Sequence, residues 1–509
     1  MGKGKQLSIN LITQIISFGL NLGISFFLTP YIIEFIGKEV YGFVSLANNF
    51  TSYISVFTVA LNGILSRYVT IAYSRKEYKS ASRYLSSVFI TNIITMVILL
   101  PISIMFVVNL GKYINLPYAF DADIKILFIL VFITFLINLP GCCYNTATYA
   151  TNRLDKSNIC NMWGSIMRIA VIIGLLLMLK PHVWYVGLGA FVSTVFIIIK
   201  NIRYKKQLMP QVEITYKNFD ITAVKELLCV GIWNTINQMT QLLMTGLDLV
   251  IANLFISVLS MNLLSYAKMI PTQMVSLIAM ISGLFAPLMT IAYASGDMKN
   301  FVRETNFAIK LCGFLCSVPT IGIVVFGEEF FELWLHALSS EEVHTVAILS
   351  ILTILPQIFS VYIYPLYTVN TVTTKLKVPV LVSAVIGVLN IIIVYILVKT
   401  TSWEIYAVAG VSSVLALLRI FVFVPLYAAN SIKVPYITFY KPLLRGIASN
   451  VVMILIFYII KRMFDINGWG TFMIVCVIAG IIGYITTFII LFNREEKKKV
   501  LSKLCKRGV

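Results

Sequence analysis

Apolar stretches of about 20 residues recur along the whole chain, at 9–31, 41–64, 84–108, 124–147, 162–179, 183–199, 229–254, 263–286, 305–326, 344–367, 379–398, 405–428, 445–460 and 471–491. Short polar connections separate them. Within each stretch the apolar residues run on without the two-residue alternation of a half-buried strand. That is the pattern of a helix in lipid, where the backbone must satisfy its own hydrogen bonds. A transmembrane barrel would show short alternating segments, and none appear. The fold class expected is therefore an all-α polytopic membrane protein of 14 transmembrane helices. The 59% hydrophobic and 12% charged content of the 509 residues leaves no room for a large soluble catalytic domain, and excludes disorder.

Charge orients the spans. The net charge of +19 comes from 40 Lys and Arg against 21 Asp and Glu. Alone, such an excess would suggest nucleic acid, but here the cations gather in alternate connections, as they do on the cytoplasmic side of membrane proteins. Placing the amino terminus in the cytoplasm puts most Lys and Arg inside, and both termini then face the cytoplasm. The start, MGKGK followed by an apolar run from Leu11 to Leu28, has the charge of a signal peptide. Asn10, Gln14 and Asn21 interrupt it and no small-x-small site follows, so it reads as an uncleaved first helix. The basic carboxyl-terminal stretch Arg494 to Arg507 suits an anchor on anionic headgroups. The 8 cysteines form no CxxC, and the 3 histidines are scattered, so neither a metal site nor a disulfide framework is expected. No GxSxG, Walker, HExxH or Asp-rich signature occurs, which argues for a non-enzyme without a resident cofactor.

The chain repeats itself. Thr70-Ile-Ala-Tyr73 recurs as Thr290-Ile-Ala-Tyr293 at an offset of 220, with Glu77 and Lys79 answered by Asp297 and Lys299. Thr151-Asn-Arg-Leu154 is answered by Thr373-Thr-Lys-Leu376 at 222, and Asn10 and Gln14 by Asn234 and Gln238 at 224. Six is even, so two six-helix halves would share one orientation, as parallel repeats about an axis along the membrane normal. The expected organisation is a six-helix bundle at 1–199, a basic connecting loop with hinge character at 200–228, a second bundle at 229–428, and two unpartnered helices with a tail at 429–509.

Polar residues inside the spans carry the candidate chemistry. Asn234, Gln238, Gln241, Thr245 and Asp248 fall on one face of span seven, and Asn10, Gln14, Ser17 and Asn21 on one face of span one. Such a stripe faces either a neighbouring helix, as an interhelical hydrogen-bond ladder, or a shared wet cavity. Five ionisable residues lie within spans: Arg168, Asp248, Lys268, Lys310 and Arg419. Charges at that depth cost a few kcal/mol each, so they pair or line a pathway. Asp248 and Lys268 flank one outer turn, as a salt bridge or gate, or as a proton or Na⁺ site at Asp248. Arg168, Lys310 and Arg419 are expected in the inner part of the bilayer, snorkelling or lining a cationic cavity. Four cations against one acid point to an anionic substrate, and the arginine fork suits phosphate. The acidic segment Gly327 to Leu335, with Trp334 at the interface, reads as structural.

Several short motifs carry a resemblance: Ile36-Gly-Lys-Glu-Val-Tyr-Gly42 after span one, Asp248 with Ser265-Tyr-Ala267, Pro287 with Ser295-Gly-Asp297, and Phe326-Gly followed by Leu-Trp-Leu335. With them the chain resembles the MOP exporter superfamily, in particular its O-antigen and capsule repeat-unit flippases of the Wzx type. His336 stands where that family often has Gly. The resemblance implies two pseudo-symmetric six-helix bundles plus two extra helices around a central cavity, in the bacterial inner membrane. It implies movement of a polyprenyl-pyrophosphate-linked oligosaccharide to the outer leaflet by alternating access. The anion would meet Arg168, Lys310, Arg419 and Lys268, and the sugars Asn10, Gln14, Asn21, Asn234, Gln238 and Gln241. Coupling or gating would fall to Asp248 and Lys268, with H⁺ or Na⁺ as coupling ion. Membrane lipids, a polysaccharide polymerase and glycosyltransferases are the expected partners of a monomer that binds no nucleic acid. The arginine-bearing first helix of peptidoglycan-precursor flippases is missing. A cation-coupled multidrug exporter and a non-transporting scaffold for glycosyltransferases remain the alternatives.

Overall fold

The computed structural model describes residues 3–37, 40–283, 285, 289, 292–293, 296–373, 375, 377–493 and 496–497. These residues are helical almost throughout, with no strand among them. In chain order the main helices are α1 (Lys3–Ile36), α2 (Gly42–Ser74), α3 (Tyr78–Val108), α4 (Asp121–Ala150), α5 (Leu154–Met178), α6 (Trp184–Leu208), α7 (Ile221–Gln241), α8 (Asp248–Phe255), α9 (Val258–Gly283), α10 (Met298–Trp334), α11 (Ser340–Val372), α12 (Lys377–Thr400), α13 (Glu404–Leu418), α14 (Val424–Ser431), α15 (Ile437–Met463) and α16 (Trp469–Leu491). Twelve described helical segments are long and apolar enough to cross a membrane, and α2 brings the number to 13 if its two arms form one span. The remaining expected span, 229–254, falls on α7, a π-helical turn at Leu242–Gly246, and α8. Its amides lower its hydropathy, and its backbone is broken.

Helix α2 bends by 69° between Val56 and Thr58 without a proline. Four hydroxyls around the bend turn back onto the helix: Thr51 and Ser52 donate to the Asn48 carbonyl (2.7 and 3.2 Å), Ser55 to Ser52 (2.7 Å) and Thr58 to Ser55 (3.0 Å). Such back-bonding competes with the helical ladder and bends it.

The chain divides into two compact units, Met1–Asn262 and Leu263–Val509. The first thus keeps α7 and α8, which the repeat counts with the second half. Packing explains the difference, because α7 lies along α2. At Gly231 a Cβ would stand 2.0 Å from the Ala60 carbonyl oxygen, so only glycine permits this backbone approach. The first unit's core gathers Leu61, Leu65, Val69, Leu85, Val88, Val212 and Leu227.

The connection at 200–228 is tighter than a slack hinge. Residues 200–208 belong to α6, because a basic helix can continue past the apolar boundary that hydropathy detects. The rest is sewn to the start of α3 by serines. Ser86 donates to the Glu213 carbonyl (3.1 Å) and accepts from the Thr215 amide (3.2 Å), Ser82 accepts from the Glu213 amide (3.0 Å), and Ser87 accepts from the Asp220 amide (2.9 Å). Arg83 adds an ion pair to Asp220 at 3.1 Å.

The second unit builds its core from Ile278, Phe301, Cys312, Tyr362, Leu366, Val424, Leu443 and Leu491. Helices α15 and α16 have no repeat partner, yet they are part of this core rather than appended to it. The Tyr362 ring fills a slot made by Gly313 and Gly446, and its hydroxyl donates to Asn450 Oδ1 at 2.9 Å. Trp334, expected at the membrane interface, is instead buried inside this unit beside Phe330 and Phe331.

The repeated motifs fold alike. After α4, the Thr151 amide donates to the Ala147 carbonyl (3.2 Å) and Arg153 to Thr148 (2.7 Å); after α11, Thr373 donates to Val369 (2.9 Å) and Lys375 to Asn370 (3.0 Å). These are the same helix-ending bonds at the same offset of 222. Lys76 and Gly296, 220 apart, both take positive φ (62° and 74°), each donating its amide to the tyrosine three residues earlier. Thr290 and Ile291 of the second copy lie outside the described residues, as do Lys38, Glu39, Pro287, Ser295 and the tail from 498.

Candidate substrate site

In the first unit, the polar stripe of α1 is largely consumed by α5. Asn10 is buried; it donates to the Asn152 carbonyl and Oδ1 (3.2 and 3.0 Å) and accepts from the Asp155 amide and Gln6 Nε2 (both 3.0 Å). Gln6 also donates to Asp155 Oδ1 (2.8 Å), which Arg153 grips at 3.0 Å through both carboxylate oxygens. The Asp155 partnership holds the Arg153 guanidinium above its ordinary pKa. About three turns on, Ser165 donates to Asn21 Oδ1 at 2.7 Å. Asn10, expected among sugar-binding residues, is therefore a buried seam residue of α1 and α5, with Ser17 buried too, while Asn21 meets α5 through Ser165 and stays exposed. Gln14 is exposed.

Helix α7 uses its stripe differently. Gln238 is half-buried and Gln241 exposed, and among the described residues neither side-chain amide has a hydrogen-bond partner. The Asn234 side chain lies outside the described set. Beyond Gln241 the helix widens into the π turn, which leaves the Gly246 carbonyl to accept from Tyr53 Oη (2.5 Å) and Asn49 Nδ2 (3.5 Å). Asp248 follows at the first position of α8 and is buried. Single π turns of this kind cluster at functional sites. Lys268 is half-buried in α9, in the other unit.

Arg168 stands on α5, three residues past Ser165. It is half-buried, its Nε is buried with no hydrogen-bond partner, and no described residue forms an ion pair with it. Its electrostatic neighbour is Tyr41, whose hydroxyl shares a 3.2 Å hydrogen bond with Thr29. Tyr41 lies in the turn joining α1 to α2, at the far end of the unit from the Asn10–Asp155 seam. Arg168 therefore stands nearer to that end of the unit than to the Asn10–Asp155 seam. Counting residues in an apolar run locates a charge only to within a few turns; its neighbours locate it better.

The other two cations belong to the second unit. Lys310 is buried and gripped by Glu496 through both oxygens at 2.7 and 2.8 Å, which ties α10 to the segment after α16. That makes it a structural ion pair in place of an open anion contact. Arg419 opens a second π turn, Arg419–Phe423. Its Nη1 donates to Ser383 Oγ (2.9 Å) and its Nη2 to Tyr367 Oη (3.1 Å), with the guanidinium 5.7 Å from the Tyr367 ring centre. The holders Ser383 and Tyr367, like Tyr41 and Thr29, escape a reading confined to charges and amides; only Tyr41 lies in a motif that the sequence singles out. Among the described residues no group of His, Cys, Asp or Glu is arranged to hold a metal.

Long apolar helices in two compact units, with turns repeated at fixed offsets, define a multi-pass membrane protein, and its architecture is that of the MOP superfamily. The lipid II flippase MurJ in an inward closed conformation superposes with a TM-score of 0.64 at 17% identity, over 94% of this chain and 97% of that one. A multidrug resistance MATE family transporter of the MOP superfamily, inward-facing, gives 0.64 at 14% identity, over 86% and 98%. The family model "Polysaccharide biosynthesis protein" matches residues 7–291, more than half of the sequence, and the chain belongs to that family. The chain is also 25% identical over 504 residues to the uncharacterized membrane protein EpsK of Bacillus subtilis (strain 168), covering 98% of each.

Proposed function

We propose that the protein is a flippase that moves a polyprenyl-pyrophosphate-linked oligosaccharide from the cytoplasmic to the outer leaflet of the bacterial cytoplasmic membrane by alternating access. The observation that carries this reading is Arg168: a guanidinium inside a membrane span, its Nε buried and unengaged, in a polysaccharide biosynthesis family member. A buried cation kept without a carboxylate suits a ligand that brings the negative charge, and pyrophosphate oxygens match the arginine fork. Arg419, which donates to the hydroxyls of Ser383 and Tyr367, is a guanidinium within a span of the second unit. Gln14, Gln238 and Gln241 are the amides left for sugar hydroxyls, while the lipid tail stays in the bilayer. An inside-negative potential favours outward movement of an anion by about 2.3 kcal/mol per charge per 100 mV.

The test is flipping of a fluorescent polyprenyl-pyrophosphate glycolipid by the full chain in vesicles. Arg168→Ala is expected to abolish movement while the protein elutes and melts as the wild type does. Normal movement by that variant would remove Arg168 from the mechanism. A second reading, a cation-coupled exporter, draws on Asp248, a buried acid beside a broken helix that could take up H⁺ or Na⁺. It predicts resistance to cationic drugs that disappears in Asp248→Asn.

A further inference from the structure

Within the first unit, α5 and α6 pack as an antiparallel pair, and their ends beside the Asn10–Asp155 seam hold a separate group of cations. Cys160 Sγ donates to the Ile197 carbonyl at 3.9 Å, which sets the register of the two helices. Lys156 Nζ stands 5.1 Å from the Tyr204 ring centre. Lys200, one turn before Tyr204, has Cys160 as its electrostatic neighbour and its Nζ 5.6 Å from the Phe196 ring centre. The two lysines thus come from opposite walls of one groove, at levels about 6 Å apart. Both are half-buried, and among the described residues neither ammonium group has a hydrogen bond or an ion pair. The Tyr204 hydroxyl is likewise unengaged by any described residue. Asp155 does not neutralise the lysines, since its oxygens are taken by Arg153 and Gln6. A ring face holds an ammonium in place with its charge intact.

The rest of α5 shows what the groove opens on. From Lys156, the residues Ile159, Trp163 and Ile166 follow at spacings of 3, 4 and 3 on one face, and all three are exposed. An exposed apolar stripe along a membrane helix suits hydrocarbon, with an indole near its polar end as at an interface. The second unit offers a comparison. Its helices α12 and α13–α14 answer to α5 and α6, the limits 404–431 matching those of α6 within two residues at the offset of 222. There Lys156 corresponds to Val378 and Lys200 to Val422, both apolar and exposed. The same surface therefore carries valines in one unit and lysines in the other.

We propose that this groove binds an anionic phospholipid of the membrane: Lys156, Lys200 and the Tyr204 hydroxyl donate to the headgroup phosphate, and an acyl chain lies along Ile159, Trp163 and Ile166. Two ammonium groups without a carboxylate complement a phosphodiester, and an apolar stripe continuing from them complements its tail. Basic pockets between helices on the cytoplasmic side hold such headgroups, and the charge pattern assigns this end of the unit to that side. Arg168 lies 12 residues further along α5, about 18 Å along the axis, so the groove is separate from the site proposed for the pyrophosphate. The phospholipid site holds whether or not the chain moves a glycolipid.

The test is a binding titration of the full-length protein in detergent micelles with fluorescent phosphatidylglycerol, and with fluorescent phosphatidylcholine, whose headgroup has no net charge. The wild type should bind phosphatidylglycerol about tenfold or more tightly than phosphatidylcholine. Lys156→Gln combined with Lys200→Gln should erase that preference. Lys156→Arg with Lys200→Arg should keep most of it, which separates lost charge from lost fold. Lys79→Gln, at an exposed cation outside the groove, should leave it within about twofold. Equal binding of the two lipids by the wild type, or a preference unchanged in the double Gln variant, would overturn the site. A polyprenyl-pyrophosphate glycolipid that displaces phosphatidylglycerol mole for mole would transfer the groove to the transported lipid. Glycerol phosphate that does so would make it a site for free phosphate. Either displacement overturns the assignment to a resident phospholipid.

Discussion

Helices α1 and α7 begin from the same pattern, an amide every three or four residues at an offset of 224, and end in different uses of it. Helix α1 spends its amides on α5: Asn10 alone makes four hydrogen bonds, and Asn21 holds Ser165. Helix α7 meets its neighbour α2 through a bare backbone at Gly231, so its amides are not needed for packing. Gln238 and Gln241 stay unengaged by any described residue. Polar side chains inside a membrane thus serve as glue where an adjacent helix offers partners, and stay available where packing is achieved by other means.

Substitutions can break this contrast. The largest effect is expected from Gly231→Leu, which drives a side chain into the Ala60 backbone and should cost about 3 kcal/mol or abolish folding. Gly23→Leu in α1, where a Cβ meets nothing within 4 Å, should leave the thermal midpoint nearly unchanged. Next, Asn10→Leu strands the Asp155 amide, Gln6 and Asn152 and should destabilise by about 2 kcal/mol, whereas Gln241→Leu should change stability by less than about 0.5 kcal/mol yet slow glycolipid movement. Equal destabilisation by the two would erase the distinction between the stripes. Ser86→Ala, removing both of its bonds to the connecting segment, should cost about 1 kcal/mol, read as faster amide exchange at Glu213 and Thr215.

The smallest effect is a pH dependence of that same segment. Asp220 is held below the usual carboxylate range, first by hydrogen bonds from the Thr222 hydroxyl and amide and then by the Arg83 charge. A depressed carboxylate stabilises above its unfolded pKa and loses that contribution as pH falls through the folded one. Protection of residues 213–220 should therefore hold from neutral pH down to about 3.9, the ordinary aspartate value, and decline below it. In Asp220→Asn the decline should vanish. A wild type whose protection falls already near neutral pH would assign the effect to another group.

The helices were legible because the bilayer imposes one length and one composition on them. The repeated turns were legible too, since their bonds are local and follow the matched tetrapeptides. What each polar face meets was not: spacing puts Asn10 and Gln14 on one side of α1, but only the position of α5 shows that one is bonded and the other exposed. The break at Leu242–Gly246 left no proline to announce it. Lys310 read as a free cation because its partner Glu496 lies 186 residues away. The surroundings of Arg168 were hidden too, because Tyr41 and Thr29 come from a connection and another helix.

The central claim is that the substrate is an anionic lipid-linked glycan held by arginines, and native mass spectrometry of the gently purified chain tests it most directly. The wild type should carry a polyprenyl-pyrophosphate glycolipid, and the double variant Arg168→Ala with Arg419→Ala should not. A wild type that carries no such lipid and binds cationic dyes instead would contradict the account.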